Sequence, residues 1–291
     1  KINESNCIIL GKTNLDEFGH GGTGLSSAFG YVLNPFDNNK IVGGSSSGSV
    51  VAIKLGMCDI AIGTDTGDSI RHPASYLGVV GFKPSYGVVS RYGITPYASS
   101  LDHVGLFSQS VIDCAIGFDI IKGFDPKDYT SIDLDVNCLE HLDEIDLSKI
   151  KIAVLDDVVS GLNSEIHEKW DKFILDLKNE TNLFFTDFDK NLLDILSPLY
   201  ASISFVEGLT NWNNVNGILF ANKDIDYKNY EDLLVKSRSL MGDEVKNRYL
   251  IADLFSNEEN FDYFGCCIAG SHRSGKFFVY RCGKSVCLYL P

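Results

Sequence analysis

The chain has 291 residues and a mass of 32.1 kDa, with 44% hydrophobic and 22% charged residues and a mean hydropathy of +0.02. That composition excludes a disordered, collagenous or coiled-coil chain, and at this length folding removes roughly three-quarters of the unfolded surface, so a core needs no disulfide or metal to support it. The 25 Lys and Arg against 39 Asp and Glu leave a formal charge of −14, which argues against this chain alone gripping a phosphate backbone; any nucleic acid would be held by a partner subunit.

No run of 18 apolar residues occurs, and the polar start Lys1-Ile2-Asn3-Glu4 has no apolar segment after it. Neither a membrane span nor a secretory signal is therefore expected, and the default compartment is the cytoplasm or the interior of a mitochondrion or plastid. The first residue is Lys rather than Met, which reads as a cut end. Cys7, Cys58, Cys114 and Cys138 are scattered singly among apolar residues without a C-x-x-C pair, so they are expected as structural core thiols rather than metal ligands.

In chain order, the apolar run from Cys7 to Gly11 predicts a short buried strand. Residues 19–48 are rich in Gly, Asn and Asp and predict loop, ending in Gly43-Gly44-Ser45-Ser46-Ser47-Gly48-Ser49. Val50–Leu55 can continue as a helix, and Ile60–Gly63 and Val79–Phe82 are apolar enough for strands. Val111, Cys114, Ala115, Phe118 and Ile121 share one helical face. An acidic stretch, 133–147, predicts a solvated connector before a strand at Lys151–Leu155. Ile166, Trp170, Phe173, Ile174 and Leu177 then predict an amphipathic helix capped by Asn163 or Ser164. Strand, loop, helix and strand in alternation is the pattern of an α/β fold.

The last 29 residues, after Asp262, contain no Asp or Glu and hold Cys266, Cys267, Cys282 and Cys287. A metal or redox tail needs ligand spacing that these cysteines lack. A strand-rich natural ending is a second reading; the composition favours a third, a segment read out of frame.

Chemistry concentrates in two loops, Gly43–Ser49 and Gly63-Thr64-Asp65-Thr66-Gly67-Asp68-Ser69-Ile70-Arg71. A serine nucleophile needs a base in reach and backbone N–H groups aimed at the developing oxyanion, and Gly/Ser-rich loops supply close backbone approach and hydroxyls. A phosphate cradle is disfavoured because G-x-x-x-x-G-K-[ST] is absent. A Ser-His-Asp triad would draw on His20, His72, His103, His141, His167 or His272, but no G-x-S-x-G elbow exists.

At these residues the sequence resembles the amidase signature family, and within it the branch of tRNA-dependent amidotransferase A subunits. The resemblance is carried by Gly11-Lys12-Thr13-Asn14-Leu15-Asp16-Glu17-Phe18, Gly43–Ser49, Gly63–Pro73 and Gly81-Phe82-Lys83-Pro84-Ser85-Tyr86-Gly87. Ser90-Arg91-Tyr92-Gly93, Ala98-Ser99-Ser100-Leu101-Asp102 and Asp125-Pro126-Lys127-Asp128 continue it. Ser204–Gly208, Thr210-Asn211 and Glu244–Arg248 extend it more weakly into the second half. It implies an α/β amidase-signature fold, a central twisted mixed β-sheet flanked by helices, with both serine loops at one sheet edge. Residues 1–262 would form a partial amidase domain and 263–291 the anomalous Cys-rich tail.

The resemblance also implies roles. Ser69 is the acyl-forming nucleophile, and Ser45, on a cis peptide, is the bridging serine that relays its proton to a lysine, neutral at rest. Thr66, Gly67, Asp68 and Ser69 donate the backbone N–H groups of the oxyanion hole, and Arg248 matches an arginine near the substrate, where a guanidinium suits a carboxylate. In the family the base lysine lies farther upstream of the bridging serine than the 44 residues that precede Ser45. It is therefore expected outside this chain, Lys12 is not its equivalent, and the chain by itself is expected to be inactive.

Glutamine would acylate Ser69 and release ammonia, and water would free glutamate. The ammonia would serve the conversion of Glu-tRNA(Gln) to Gln-tRNA(Gln) on partner subunits B and C, the partner holding ATP and Mg²⁺ while this chain holds no cofactor or metal. Alternatives are a free-standing amidase of small or fatty amides, and an inactive fragment or scaffold without its lysine. Asp68 stands where the family has glycine. A carboxylate about 5 Å from the oxyanion would cost on the order of 3 kcal/mol at an effective dielectric of about 20, roughly a hundredfold in rate.

Overall fold

A computed structural model describes residues 1–142, 146–155, 161–186, 190–216, 218 and 224–256. They divide into two compact units: Lys1–Leu139 with the residues from Leu199 onward, and Glu140–Pro198.

In the first unit a loop-built stretch, with single 3₁₀ turns at Ile2–Glu4 and Glu17–Gly19, leads into α1 (Ser47–Lys54), β1 (Ile60–Asp65), α2 (Arg71–Leu77), β2 (Val80–Phe82), β3 (His103–Ser108) and α3 (Val111–Ile121). The three strands form an antiparallel sheet in the order β1-β3-β2, with Ile60 opposite Ser108 and Asp65 opposite His103. Successive side chains on a strand point to opposite faces, and the core divides accordingly. Phe107 joins Val42, Val50, Ile53, Ala61, Ile70, Ala74 and Leu77 under α1 and α2, whereas its neighbour Leu106 joins Val88, Val89, Val104, Cys114 and Phe118 under α3. The sheet is thus a layer between helices. Ser110 opens α3 by accepting the Asp113 N–H at 3.1 Å.

A one-turn helix, α4 (Cys138–His141), follows. The second unit contains β4 (Lys151–Leu155), α5 (Ser164–Glu180) and β5 (Asn182–Thr186), the two strands pairing in parallel across the helix. Asn163 is the cap of α5, accepting the Ile166 N–H at 2.9 Å. The long α6 (Lys190–Trp212) carries Pro198 inside it. Then α7 (Tyr230–Ser239) and α8 (Asp243–Ser256) return to the first unit, where Trp212, Val215, Met241 and Val245 bury with Tyr97.

The helices and strands expected at 50–55, 60–63, 79–82, 111–121, 151–155 and 166–177 are present. The strand expected at Cys7–Gly11 is not: Ile8, Ile9 and Leu10 are 84%, 63% and 71% exposed in an extended segment. Apolar composition makes a segment fit for a sheet, but only a neighbouring strand with free N–H and C=O groups makes it one, and among the described residues none pairs with it. The expectation of core thiols fails for the same segment, since Cys7 is exposed; Cys58 and Cys138 are half-buried and only Cys114 is in the core. The acidic connector is solvent-facing in its described part, yet it is tethered: the Cys138 and Leu139 N–H groups both donate to the Asp119 carboxylate at 3.1 Å. The boundary at 262, the tail 263–291 and its four cysteines lie outside the described residues, as does His272.

Candidate active site

Ser45 lies just before α1, and the peptide Gly44–Ser45 is cis. The segment Thr13–Asp16 runs alongside and holds the loop by its backbone: the Asp16 N–H donates to the Ser45 carbonyl at 3.0 Å, and the Gly48 N–H to the Asn14 carbonyl at 2.9 Å. Thr13 Oγ1 and Ser49 Oγ share a 2.7 Å hydrogen bond. The fully buried Asp16 carboxylate accepts the N–H groups of Gly24 at 3.1 Å and Ser26 at 2.9 Å. Burial raises the Asp16 pKa against the pull of those donors. A side chain at position 44 would run into this carboxylate and the Thr23 and Gly24 amides, which explains the glycine there.

Ser69 lies between β1 and α2, in a bend that is tied at both ends. Asp65, the last residue of β1, is fully buried and faces Arg71, the first of α2; Arg71 Nη2 meets its Oδ1 at 2.9 Å and Nε its Oδ2 at 3.2 Å. The Ile70 N–H adds a 3.0 Å bond to the same carboxylate. Burial pushes the Asp65 carboxyl up, and the Arg71 guanidinium more than offsets it, so the group stays an anion below its ordinary range. The guanidinium also donates to the Gly67 carbonyl. That contact fixes the orientation of the Gly67–Asp68 peptide. Thr66 Oγ1 donates to Asp102 at 2.6 Å, and Asp102 in turn accepts the Tyr97 and Ala98 N–H groups at 2.9 and 3.1 Å.

The two serine loops meet at the free edge of β1. An edge strand presents unpaired backbone groups, and serine hydroxyls take them here. Ser46 Oγ donates to the Thr64 carbonyl and accepts the Thr64 N–H, both at 3.1 Å, while Ser49 Oγ donates to the Ile62 carbonyl at 2.8 Å. The Ser46 N–H reaches the Ser69 carbonyl at 3.4 Å. Ser45 and Ser69 are both buried, at 1% and 6% exposure.

Two further elements close the site. Tyr200 of α6 packs on the Ser69 bend: a Cβ placed on Gly67 would sit 2.7 Å from its Cζ and 2.8 Å from its hydroxyl. Burial lifts the Tyr200 phenol well above its ordinary pKa, with Tyr97, Arg248 and Asp68 among the charges it feels. Arg248 of α8 donates through Nη1 to the Tyr97 hydroxyl at 2.9 Å and pairs through Nη2 with Glu244 at 2.7 Å. Its guanidinium lies over the rings of Phe205 and Tyr97, 5.2 and 5.7 Å from their centroids.

The amidase family profile matches residues 1–274. The chain belongs to the amidase family. It is 38% identical over 268 residues to the A subunit of the glutamyl-tRNA(Gln) amidotransferase of Mycoplasma pneumoniae, covering 89% of this chain and 56% of that protein. The corresponding A subunit of Aliarcobacter butzleri is also 38% identical over 268 residues, covering 91% of this chain and 58% of the relative. The crystal structure of the glutamyl-tRNA(Gln) amidotransferase A subunit from Thermotoga maritima superposes with a TM-score of 0.72 at 30% identity, over 92% of this chain and 54% of that one. The chain thus spans about half the length of the curated relatives it matches. The α/β amidase-signature fold expected from the motifs is the fold observed, with parallel and antiparallel pairing in separate sheets among the described residues.

In this member of the amidase family the structure brings Ser45, Thr66, Gly67, Asp68 and Ser69 together along one edge of β1, and the cis peptide falls at the serine for which the resemblance implied it. Arg248 is joined to the same neighbourhood through Tyr97 and Tyr200 rather than through the serines. Lys12 is exposed. His20 is a core residue, its ring 4.0 Å from Tyr97 and 4.3 Å from Trp212, and burial with the nearby Arg248 charge lowers its pKa to about 3. His103 is likewise held neutral by burial and by Lys83, at about 4. His167 pairs with Asp171 on the surface of α5. Sequence reasoning missed Asp16, Asp102, Tyr97 and Tyr200 as parts of the site. The first three lie inside or beside quoted motifs, so their position was a signal, but Tyr200 carried none.

Among the described residues no group of three or more His, Cys, Asp or Glu is placed to hold a metal ion, and no helix is long and apolar enough to cross a membrane.

Proposed function

We propose that this chain carries the acyl-forming part of a glutamine-hydrolysing amidase site, of the kind its relatives are named for, the A subunit of the glutamyl-tRNA(Gln) amidotransferase. The observation that supports it most is the joint geometry of the loops: a loop with a cis-linked Ser45 and a Ser69 bend, joined on one strand edge by the Ser46 N–H to the Ser69 carbonyl, with Arg71 holding the Gly67 carbonyl. Ser69 Oγ attacks the carboxamide carbon of glutamine, and its proton passes through Ser45 Oγ toward a lysine that the resemblance puts upstream of these residues. The carbonyl oxygen becomes an oxyanion facing the N–H groups of the Thr66–Ser69 run. Collapse of the adduct breaks the C–N bond, the returning proton leaves with nitrogen as ammonia, and water then cleaves the acyl-Ser69 ester to glutamate. Arg248 holds the substrate's α-carboxylate, a bidentate task that suits a guanidinium whose other contacts fix its plane.

The ammonia then serves amide transfer to Glu-tRNA(Gln) on partner subunits B and C, in a cytoplasmic or organellar complex whose ATP and Mg²⁺ sit on a partner. An acidic chain is suited to this division, since tRNA contact falls to the other subunits. The test is glutamine hydrolysis by the full-length protein assembled with those subunits. Ser69→Ala should bring ammonia release down to background, and an unaltered rate in that variant would refute the assignment. Turnover of simple amides without any partner would move the reading to a free-standing amidase.

A further inference from the structure

Asp68 puts a carboxylate in the peptide run that would face the oxyanion, at a position where the resemblance has glycine. The structure gives that carboxylate a destination. His72 lies one helical turn on, its N–H donates to the Asp68 carbonyl at 2.8 Å, and this turn brings the two side chains to one face. His72 Nδ1 stands 3.6 Å from Asp68 Oδ2. That nitrogen is buried and has no hydrogen-bond partner among the described residues, so the carboxylate is the group it faces. The Tyr76 ring meets the imidazole in a T-shaped contact, 4.3 Å between centroids.

We infer that His72 is a positioning residue of this active site: it draws the Asp68 carboxylate onto its ring and so keeps a negative charge from opposing the oxyanion beside Ser69. The inference rests on the hydrolytic reading above and adds to it a residue pair particular to this chain. A charge about 5 Å from the reacting oxygen is worth roughly a hundredfold in rate at an effective dielectric of about 20, so a ring that keeps the carboxylate on its own side of the turn protects the rate by holding that charge farther off.

The test is a double-mutant cycle in the full-length protein assembled with its partner subunits. His72→Ala should lower kcat for glutamine by about tenfold to a hundredfold with KM little changed, because the charge acts on the transition state. In an Asp68→Gly background the same substitution should change kcat by less than about threefold, because the two positions are coupled and the carboxylate that His72 acts on is gone. Equal losses from His72→Ala in both backgrounds would mean that the ring merely supports the fold, and no loss in either would mean that the carboxylate is harmless without it; each overturns the inference. The rate at which a fluorophosphonate probe phosphonylates Ser69 gives a second readout that does not need glutamine. Should the probe follow the same cycle while glutamine is not hydrolysed, the positioning role stands and the glutamine assignment falls. Probe rates indifferent to His72 overturn the inference whatever the substrate.

Discussion

The pair Asp65 and Arg71 offers the sharpest test of how the Ser69 bend is built. Both side chains are almost sealed from water, at 1% and 4% exposure, and the carboxylate accepts from the guanidinium twice and from the Ile70 N–H. Asp65→Asn removes the charge and one acceptor while leaving the Arg71 cation buried. Breaking one side of such a pair costs about 3–5 kcal/mol, a large part of the roughly 5–15 kcal/mol that holds a domain folded. Urea unfolding should show this as a lower midpoint at unchanged slope. Replacing both partners by apolar residues, Asp65→Leu with Arg71→Met, should recover most of that stability, since a buried ion pair is near break-even against a hydrophobic pair. Turnover should not recover, because the Gly67 carbonyl has lost the donor that fixes its peptide in the Ser69 bend. An Asp65→Asn variant destabilised by less than about 1 kcal/mol, or a stable and fully active double variant, would refute the claim that this pair shapes the bend.

Gly67→Ala should force Tyr200 and the bend apart, since the new methyl would lie 2.7 Å from Tyr200 Cζ. Overpacking of this kind costs about 1–3 kcal/mol, and the displaced N–H donors should lower kcat by about a hundredfold; a normal kcat would show that the bend tolerates the shift. Arg248→Lys loses the planar fork that meets Glu244 and the Tyr97 hydroxyl, and should raise the KM for glutamine by about tenfold or more with a smaller change in kcat, as steady-state kinetics would read. His20 binds a proton more weakly in the fold, at about 3, than its ordinary 6.5. Its contribution is complete above 6.5 and is lost as pH falls toward 3, at about 1.4 kcal/mol per pH unit, so His20→Phe should flatten the acid side of the stability curve. A His20→Phe protein with the same acid slope would show that the ring is not kept neutral by the fold.

Much of the candidate site is local in sequence. The glycines and serines at 43–49 and 63–71 are close-approach and hydroxyl-bearing residues within a short span, and one helix and one strand suffice to return the second loop to the first. The helical spacing of α3 follows from side-chain pattern alone, whereas in β1 the apolar run marks a strand but not its faces: Ala61, Gly63 and Asp65 turn to the core and Ile62 is exposed. The expectation at Cys7–Leu10 failed because an apolar run specifies a preference for burial and not the strand that would supply it. What the sequence by itself determined is therefore the chemistry of the two loops, since residue type and spacing set which hydroxyls and amides can gather at a strand edge. Only the tertiary structure decided what surrounds them. Tyr200 reaches Gly67 across more than half the described chain, Arg248 finds Tyr97, and His20 is dehydrated between Tyr97 and Trp212. Such long-range contacts depend on how whole elements pack, and no local pattern encodes them.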